Sequence, residues 1–315
     1  MNVPIDDRRV RYFYDAISSG SVRAAADKLN MNPSVVSRQI AQLESELAVT
    51  LMERLGRGVK ATDAGQMLVD YFRQHRAHQD DVITKIQELR GLKGGKIDLV
   101  LGEGFVGDLM GEPIREFWQR HPGLSITMNL AGTNDVIRQV SEDIAHIGLV
   151  YNPSPSSSIR SRAAVKQPLC VIAQPNHPIT KLQTQPRLKD LIQYPLALMH
   201  GSYGTRQIIA MAEQVEKIRL VPKLTTDSIS VIKHFVRADL GIGLLPEFSV
   251  THEIQSGDLV ALEIDHQILA SAEAHVITRL GRQLPIAANQ LLMHLISTMH
   301  AFRDADKKRR KPATA

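Results

Sequence analysis

Residues 21–44, SVRAAADKLNMNPSVVSRQIAQLE, constrain the fold more than any other stretch. They read as two short helices joined by a tight turn. The second starts at a strong local signal: the Asn32 side chain can cap free backbone donors, and Pro33 stands at the first helical position, where no N–H is missed. At 100° per residue, Val36, Ile40 and Leu43 fall on one face and Ser34, Arg38, Ala41 and Ser45 on the other, with Ser37 and Gln42 on the flanks. An ordinary surface helix turns Glu and Lys outward. Small hydrogen-bonding residues instead permit close approach to a large partner, and Arg38 suits phosphate or guanine edges. Residues 21–29 are expected to bury Ala24, Ala25 and Leu29, the small alanines allowing the tight crossing of a helix-turn-helix. On this segment alone, a plain αα-hairpin in a helical protein competes with a DNA-binding unit.

The flanks favour the second reading. Val10, Phe13, Tyr14 and Ile17 recur at helical spacing and Ser18-Ser19-Gly20 ends that helix, which supplies a third helix behind the pair. Residues 51–54 and 59–62 read as two short strands around a Gly56-Arg57-Gly58 turn, a wing on which Arg54, Arg57 and Lys60 are placed for phosphate contacts or a minor-groove reach. Residues 62–92 then read as one long helix, capped by Thr62 and stopped at Gly91 and Gly94-Gly95. Along it Leu68, Phe72, His75, Gln79, Val82, Ile86 and Leu89 step as a heptad seam. Such a seam stays wet unless a second chain covers it, so a homodimer is expected, pairing two recognition helices on one duplex.

From Lys96 the pattern changes. Strand-like runs at 96–102, 124–130 and 144–151 alternate with helical ones at 110–118 and 134–140, a β-α-β-α-β order that implies a parallel sheet. Beyond a Pro/Ser loop at 153–158, strands at 169–173, 196–199, 223–226 and 241–245 interleave with helices at 203–215 and 228–237. A strand at 273–277 and an amphipathic helix at 285–302 close the chain. Open α/β sheets bind ligands beyond the carboxyl ends of their strands. That rule selects Glu103, Gly104 and Phe105, then Thr133 and Asn134, then His200, Gly201 and Ser202, and finally Asp227 and Ser228. Thr133, Asn134 and Ser228 sit near helix N-termini, where spare N–H groups favour an anion, with plain helix capping as the competing role. Glu103 is discordant, since a carboxylate repels an organic acid; His200, Arg206 or an amine on the ligand are its candidate partners. Gly241 and Gly243 read as close strand packing.

Several functional classes drop out. The formal net charge of +5 is matched by Lys307, Lys308, Arg309, Arg310 and Lys311 alone, so the basic balance is an effect of a tail expected to be disordered. The single cysteine, Cys170, excludes an intramolecular disulfide. No apolar run is long enough to span a membrane and the N-terminus carries no hydrophobic signal segment, from which a cytoplasmic location and no membrane partner are expected. There is no Gly-x-Ser-x-Gly elbow, P-loop, His-Glu-x-x-His or paired cysteine, and His200 has no second ligand at a metal-site spacing. No enzyme activity, cofactor or metal is therefore expected. A solute-binding protein or an enzyme using the same cleft remains the alternative.

With the whole order in view, the chain resembles the LysR-type transcriptional regulators. The resemblance is carried by Ala24-Ala25 and Leu29, by Pro33-Ser34-Val35-Val36-Ser37-Arg38-Gln39-Ile40, by Leu43-Glu44 and Leu47, and by the wing with Arg54 and Lys60-Ala61-Thr62-Asp63-Ala64-Gly65. It implies an α plus α/β fold: a winged helix-turn-helix at 1–65, a dimerising linker helix at 62–92, and an effector domain at 96–303 resembling periplasmic solute-binding proteins. Its first subdomain would comprise 96–165 plus 271–303 and its second 166–270, followed by the basic tail 304–315. The resemblance implies Ser34, Ser37, Arg38 and Gln42 for the groove, and Arg54, Arg57, Lys60 and Thr62 for the backbone and wing. Double-stranded DNA, a small-molecule effector such as an organic acid or related metabolite, a homodimer assembling further to a homotetramer, and RNA polymerase are the partners it implies. In the first effector loop such regulators usually carry a small or hydroxylated residue, where this chain has Glu103.

Overall fold

A computed structural model describes residues 5–56, 58–89 and 95–303. The chain divides into two compact units, Met1–Ile83 and Thr84–Ala315. In the first, α1 (Asp7–Ser18), α2 (Val22–Leu29) and α3 (Pro33–Leu47) precede a hairpin of β1 (Met52–Arg54) and β2 (Val59–Ala61), and α4 (Asp63–Leu89) follows. Each early helix starts on a side-chain cap. Asp6 accepts from Arg8 and Arg9 N–H, Ser21 from Ala24 N–H, and Asn32 from Ser34 N–H. α2 and α3 stop at Asn30 and Ala48, both in the left-handed region at φ 57° and 52°. Val36, Ile40 and Leu43 are buried, as their spacing predicts, against Val10, Phe13, Ala16, Ala25 and Ala26. On α2 the buried pair is Ala25 and Ala26, with Ala24 and Leu29 only half-buried, so the buried face is turned by one residue from the expected one.

The predicted heptad seam divides. Leu68 and Phe72 belong to the core of the helical unit, with Phe72 against Tyr14 at a ring separation of 4.9 Å. Their burial is satisfied within the chain and requires no partner. His75 is half-buried beside Asp7, Gln79 is exposed, and Val82 and Ile86 are 42% and 47% exposed. Among the described seam residues, the exposed apolar ones, Val82 and Ile86, thus lie in the second half of the helix. Arg57, Gly91, Gly94, the side chain of Leu89 and the tail 304–315 lie outside the described residues.

The second unit holds two five-stranded sheets. The chain runs β3 (Gly95–Leu101), α5 (Val106–Leu109), α6 (Glu112–Arg120), β4 (Leu124–Leu130), α7 (Thr133–Ser141), β5 (Ile147–Tyr151), β6 (Ile159–Lys166), β7 (Leu169–Ala173) and β8 (Leu196–Met199). It continues through α8 (Gly204–Glu216), β9 (Leu224–Thr226), α9 (Ile229–Arg237), β10 (Ile242–Pro246), α10 (Thr251–Gln255), β11 (Val260–Glu263), α11 (Gln267–Ala270), β12 (Glu273–Arg279) and α12 (Ile286–Thr298). The sheet orders are β4-β3-β5-β12-β6 and β11-β7-β10-β8-β9. β3 is parallel to β4 and β5, as the β-α-β-α-β order implies, whereas β12 enters antiparallel to β5 and β6. The two lobes are joined where Gln167 N–H donates to Ala272 O at 2.8 Å, side by side on the two crossing segments. Tyr151 Oη donates to Gln167 O at 2.8 Å and the Gln167 amide to Ala301 O at 2.9 Å, which locks the junction.

β6 and β11 are absent from the sequence reading. Both are edge strands. An edge strand is covered on fewer sides, so IRSRAAVK needs no continuous apolar run. The helix expected at 110–118 begins two residues later, as α6, because Pro113, lacking an N–H, starts a helix more readily than it continues one; the short α5 before it is absent from the sequence expectations. At the C-terminal end α12 stops at Thr298, and Asp108 accepts from His300 and Ala301 N–H, drawing residues 300–302 into a separate 3-10 turn.

Cys170 lies buried on β7, and burial pushes its thiol up to about 12. A protonated, inaccessible thiol is inert. A thiol-labelling time course on native protein should show no modification until denaturant is added; stoichiometric labelling within minutes would mean that β7 opens.

Candidate functional sites

The outer face of α3 presents Ser34, Arg38, Ala41, Gln42 and Ser45 to solvent. Four of the expected DNA-facing side chains, Ser34, Ser37, Gln42 and Arg54, are tied to neighbours. Ser34 Oγ donates to Asn32 Oδ1 at 2.8 Å, Arg54 on β1 donates to Ser37 Oγ at 3.3 Å, and the Gln42 amide donates to Glu46 Oε1 at 3.0 Å. Arg54 therefore lies over the recognition helix and joins wing to helix. Glu46 is held by Arg9, which also donates to Gln39 Oε1 at 3.1 Å. The Arg9 hydrogen bond, then that from Gln42, keep the Glu46 carboxyl below its ordinary value, so one negative charge stays near the end of α3. Lys60 is exposed on β2, opposite Glu53. Thr62 has a local task. Its Oγ donates to Thr50 O at 2.8 Å and accepts from Gly65 N–H at 3.0 Å, which caps α4.

The second site is a cleft between the two α/β lobes. Glu103, Gly104, Phe105 and Thr133 line it from one side, together with Val136, Val150 and Tyr151, while Met199, Tyr203, Gly204, Thr205, Ile229, Pro246 and Phe248 line it from the other. Its free space is about 30 Å³, room for a water or two and not for a metabolite. The cleft is closed by contacts that cross it. Gly204 N–H at the start of α8 donates to Thr133 Oγ1 at 2.7 Å. The loops before α7 and α8 touch, since a Cβ on Gly132 would lie 3.3 Å from Ser202 O. Glu103 reaches across to α9, where Ser228 Oγ, Ile229 N–H and Ser230 N–H donate to its carboxylate at 3.0, 2.5 and 3.1 Å. Phe105 anchors the turn that carries Glu103, its ring 4.9 Å from Phe248 and 6.0 Å from Phe302.

Of the residues that the strand-end rule selects, Glu103, Gly104, Phe105 and Thr133 line this cleft. Ser228 borders it as the N-cap of α9. Asn134, His200, Gly201, Ser202 and Asp227 are exposed outside the lining. The Gln207 amide fastens Asn134 Oδ1 and Gly201 O, at 3.5 and 3.2 Å, on that outer rim. Glu103 pairs with neither His200 nor Arg206; Arg206 is bonded to Glu213 at 2.7 Å. Thr205 is the polar residue the rule passes over. It is 6% exposed, lines the cleft, and its Oγ1 has no hydrogen-bond partner. Its signal in the sequence is its place one residue past Gly204, in the first turn of a helix without a side-chain cap. α7 likewise starts without one. Tyr203 lies here with a phenol raised by burial and further by Asp227, Glu103 and Asp135.

Comparison with known proteins follows this division of the chain. The family model described as the bacterial regulatory helix-turn-helix protein, lysR family, matches residues 8–66, and that of the LysR substrate binding domain matches residues 90–299. Among curated relatives, the HTH-type transcriptional activator CmpR of Synechocystis sp. is 28% identical over 282 residues, covering 89% of this chain and 91% of its own. Two solved structures share the fold at 18% identity and a TM-score of 0.58. Full-length CbnR complexed with its target DNA is covered over 98% of its length by 92% of this chain. The regulatory domain of CcmR from Synechocystis PCC6803, in complex with 2-PG, is covered over 98% by 65% of this chain. A helix-turn-helix unit followed by two α/β lobes around a cleft, matched in both parts by models of one family, identifies the chain as a member of the LysR family, a DNA-binding transcriptional regulator with an effector-binding domain.

Proposed function

We propose that this regulator reads its operator with the outer face of α3, Arg38 and Gln42 reaching base edges, Ser34 and Ser37 allowing close approach, and Arg54, Arg57 and Lys60 holding the phosphate backbone. The observation that carries this reading is the exposed face of small polar residues around Arg38, backed by a buried Val36-Ile40-Leu43 face that fixes its orientation. Thr62 contributes by capping α4. CbnR, a structural neighbour, was solved on its target DNA, which favours the same partner here. Arg38→Ala should weaken specific binding by roughly 5- to 150-fold, about 1–3 kcal/mol. Lys60→Ala should weaken specific and non-specific binding evenly and lower the salt slope by about one. Titration of the DNA upstream of its own gene, against a scrambled duplex at several salt concentrations, separates the two. Equal affinity for both duplexes would overturn the reading.

The exposed Val82 and Ile86 favour a homodimer joined along the second half of α4, with a tetramer as a further assembly, and sedimentation of the full chain measures it. A small organic acid or related metabolite enters the cleft between the lobes, seated by Thr133, Thr205 and the start of α7, which has no side-chain cap and where N–H groups favour an anion. CcmR's complex with 2-PG supports a small ligand in such a domain. Ligand entry parts the contacts that cross the cleft, and the change in lobe geometry alters DNA binding, through which RNA polymerase is reached. The protein binds this ligand without turning it over. No helix among the described residues is long and apolar enough to cross a membrane, and a cytoplasmic location suits a DNA-bound regulator. A thermal-shift panel of metabolites, followed by assay of any hit for turnover, tests both statements.

A further inference from the structure

The Glu103 carboxylate accepts three hydrogen bonds across the cleft. An anion at a helix start is stabilised by free N–H groups and by the helix dipole. α9 spans nine residues and carries such an anion, and the anion belongs to the protein. One carboxylate oxygen accepts from Ser228 Oγ and Ser230 N–H, the other from Ile229 N–H. Ser228 Oγ accepts in turn from Val231 N–H, so the hydroxyl is oriented toward the carboxylate. The turn is held in depth as well: a Cβ on Gly104 would come within 3.1 Å of Ile229 Cδ1. On the same lobe as α9, the buried Thr205 Oγ1 in the first turn of α8 also faces the cleft and is unpaired. One anion seat is filled from within the chain, and the chain supplies no partner to Thr205 Oγ1.

We propose that Glu103 is a built-in occupant of the cleft's second anion seat, so that the cleft selects ligands with a single anionic group, received by Thr133, Thr205 and the first turn of α8. The proposal rests on the reading of the cleft as the effector site. A ligand with a second anionic group must either displace a carboxylate holding three donors or meet it as a like charge. Asp227 and Asp135, which with Glu103 act on the Tyr203 phenol, add to that repulsion. The same bridge ties one lobe to the other.

Inorganic sulfate is the probe, titrated into the full-length protein against chloride of matched ionic strength, with the thermal midpoint as readout. Glu103→Ser empties the α9 seat and should bind sulfate at least tenfold more tightly than wild type. Glu103→Gln removes the charge, while its amide oxygen can still accept from Ser228 and Ser230 and its –NH2 cannot accept from Ile229 N–H, so it should also bind sulfate more tightly than wild type, by a smaller factor than Glu103→Ser; it tests the claim if Glu103→Ser does not fold. No gain in Glu103→Ser, or none in Glu103→Gln, overturns the proposal. Thr205→Val in the wild-type background isolates the underlying reading. It should weaken the wild-type response at least threefold, and an unchanged response would remove the α8 seat without reference to Glu103.

Discussion

Gly204→Ala is expected to destabilise the α/β unit by about 3 kcal/mol, at the upper end of the usual overpacking cost. A Cβ at this position would stand 2.0 Å from Tyr151 O, 3.0 Å from Tyr151 C and 3.1 Å from Thr133 Oγ1. Two of these atoms are backbone at the end of a fully buried strand and cannot swing aside as a side chain can. Relief requires α8 to retreat from β5, and that stretches the Gly204 N–H bond to Thr133 that joins the lobes. Chemical denaturation followed by far-UV circular dichroism measures the loss. Gly201→Ala is the internal control: three residues earlier in the same loop its Cβ meets nothing within 4 Å, and the change should be within about 0.5 kcal/mol. Equal stability of the two variants would mean that α8 and β5 do not meet as described.

Ile40→Ala should cost the helical unit about 3 kcal/mol, within the range for deleting a buried aliphatic side chain. Ile40 is 0% exposed, in the middle of the recognition helix, in a core it shares with Phe13, Ala25 and Leu43. In a unit of this size the hydrophobic core is small, and such a loss is a large part of the total stability. Hydrogen exchange of the α3 amides in the full chain should quicken by roughly two decades, as that free energy implies. Exchange in β7 and β10 of the other unit should be unchanged. Ser45→Ala, on the exposed face of the same helix, should leave the rate within about twofold, corresponding to less than 0.5 kcal/mol. Exchange in Ile40→Ala as slow as in wild type would place Ile40 outside the core.

The recognition helix was legible because its determinants are local. The Asn32 cap, Pro33 and the apolar spacing lie within a dozen residues, and the structure keeps all three. The same is true of the strands with continuous apolar runs, such as Leu169–Ala173 and Leu196–Met199, whose observed bounds are the expected ones. Edge strands β6 and β11 carry no such run, and their pairing is set by neighbours far along the chain. The long helix shows the opposite error. Its heptad spacing is real, but periodicity records that a stripe is buried without saying against what; Leu68 and Phe72 are buried within their own unit.

The chain's residue order by itself determines a helix-turn-helix with a polar outward face, two α/β lobes and the strand ends from which a cleft is built, because caps, turns and apolar periods act over a few residues. Tertiary structure alone decides which of those strand-end residues meet. Glu103 and Ser230 are separated by 127 positions, and only the folding of one lobe against the other brings the carboxylate to the start of α9. The same closure leaves His200 and Asp227 outside and Thr205 within, since a loop residue's burial depends on the surface that arrives opposite it.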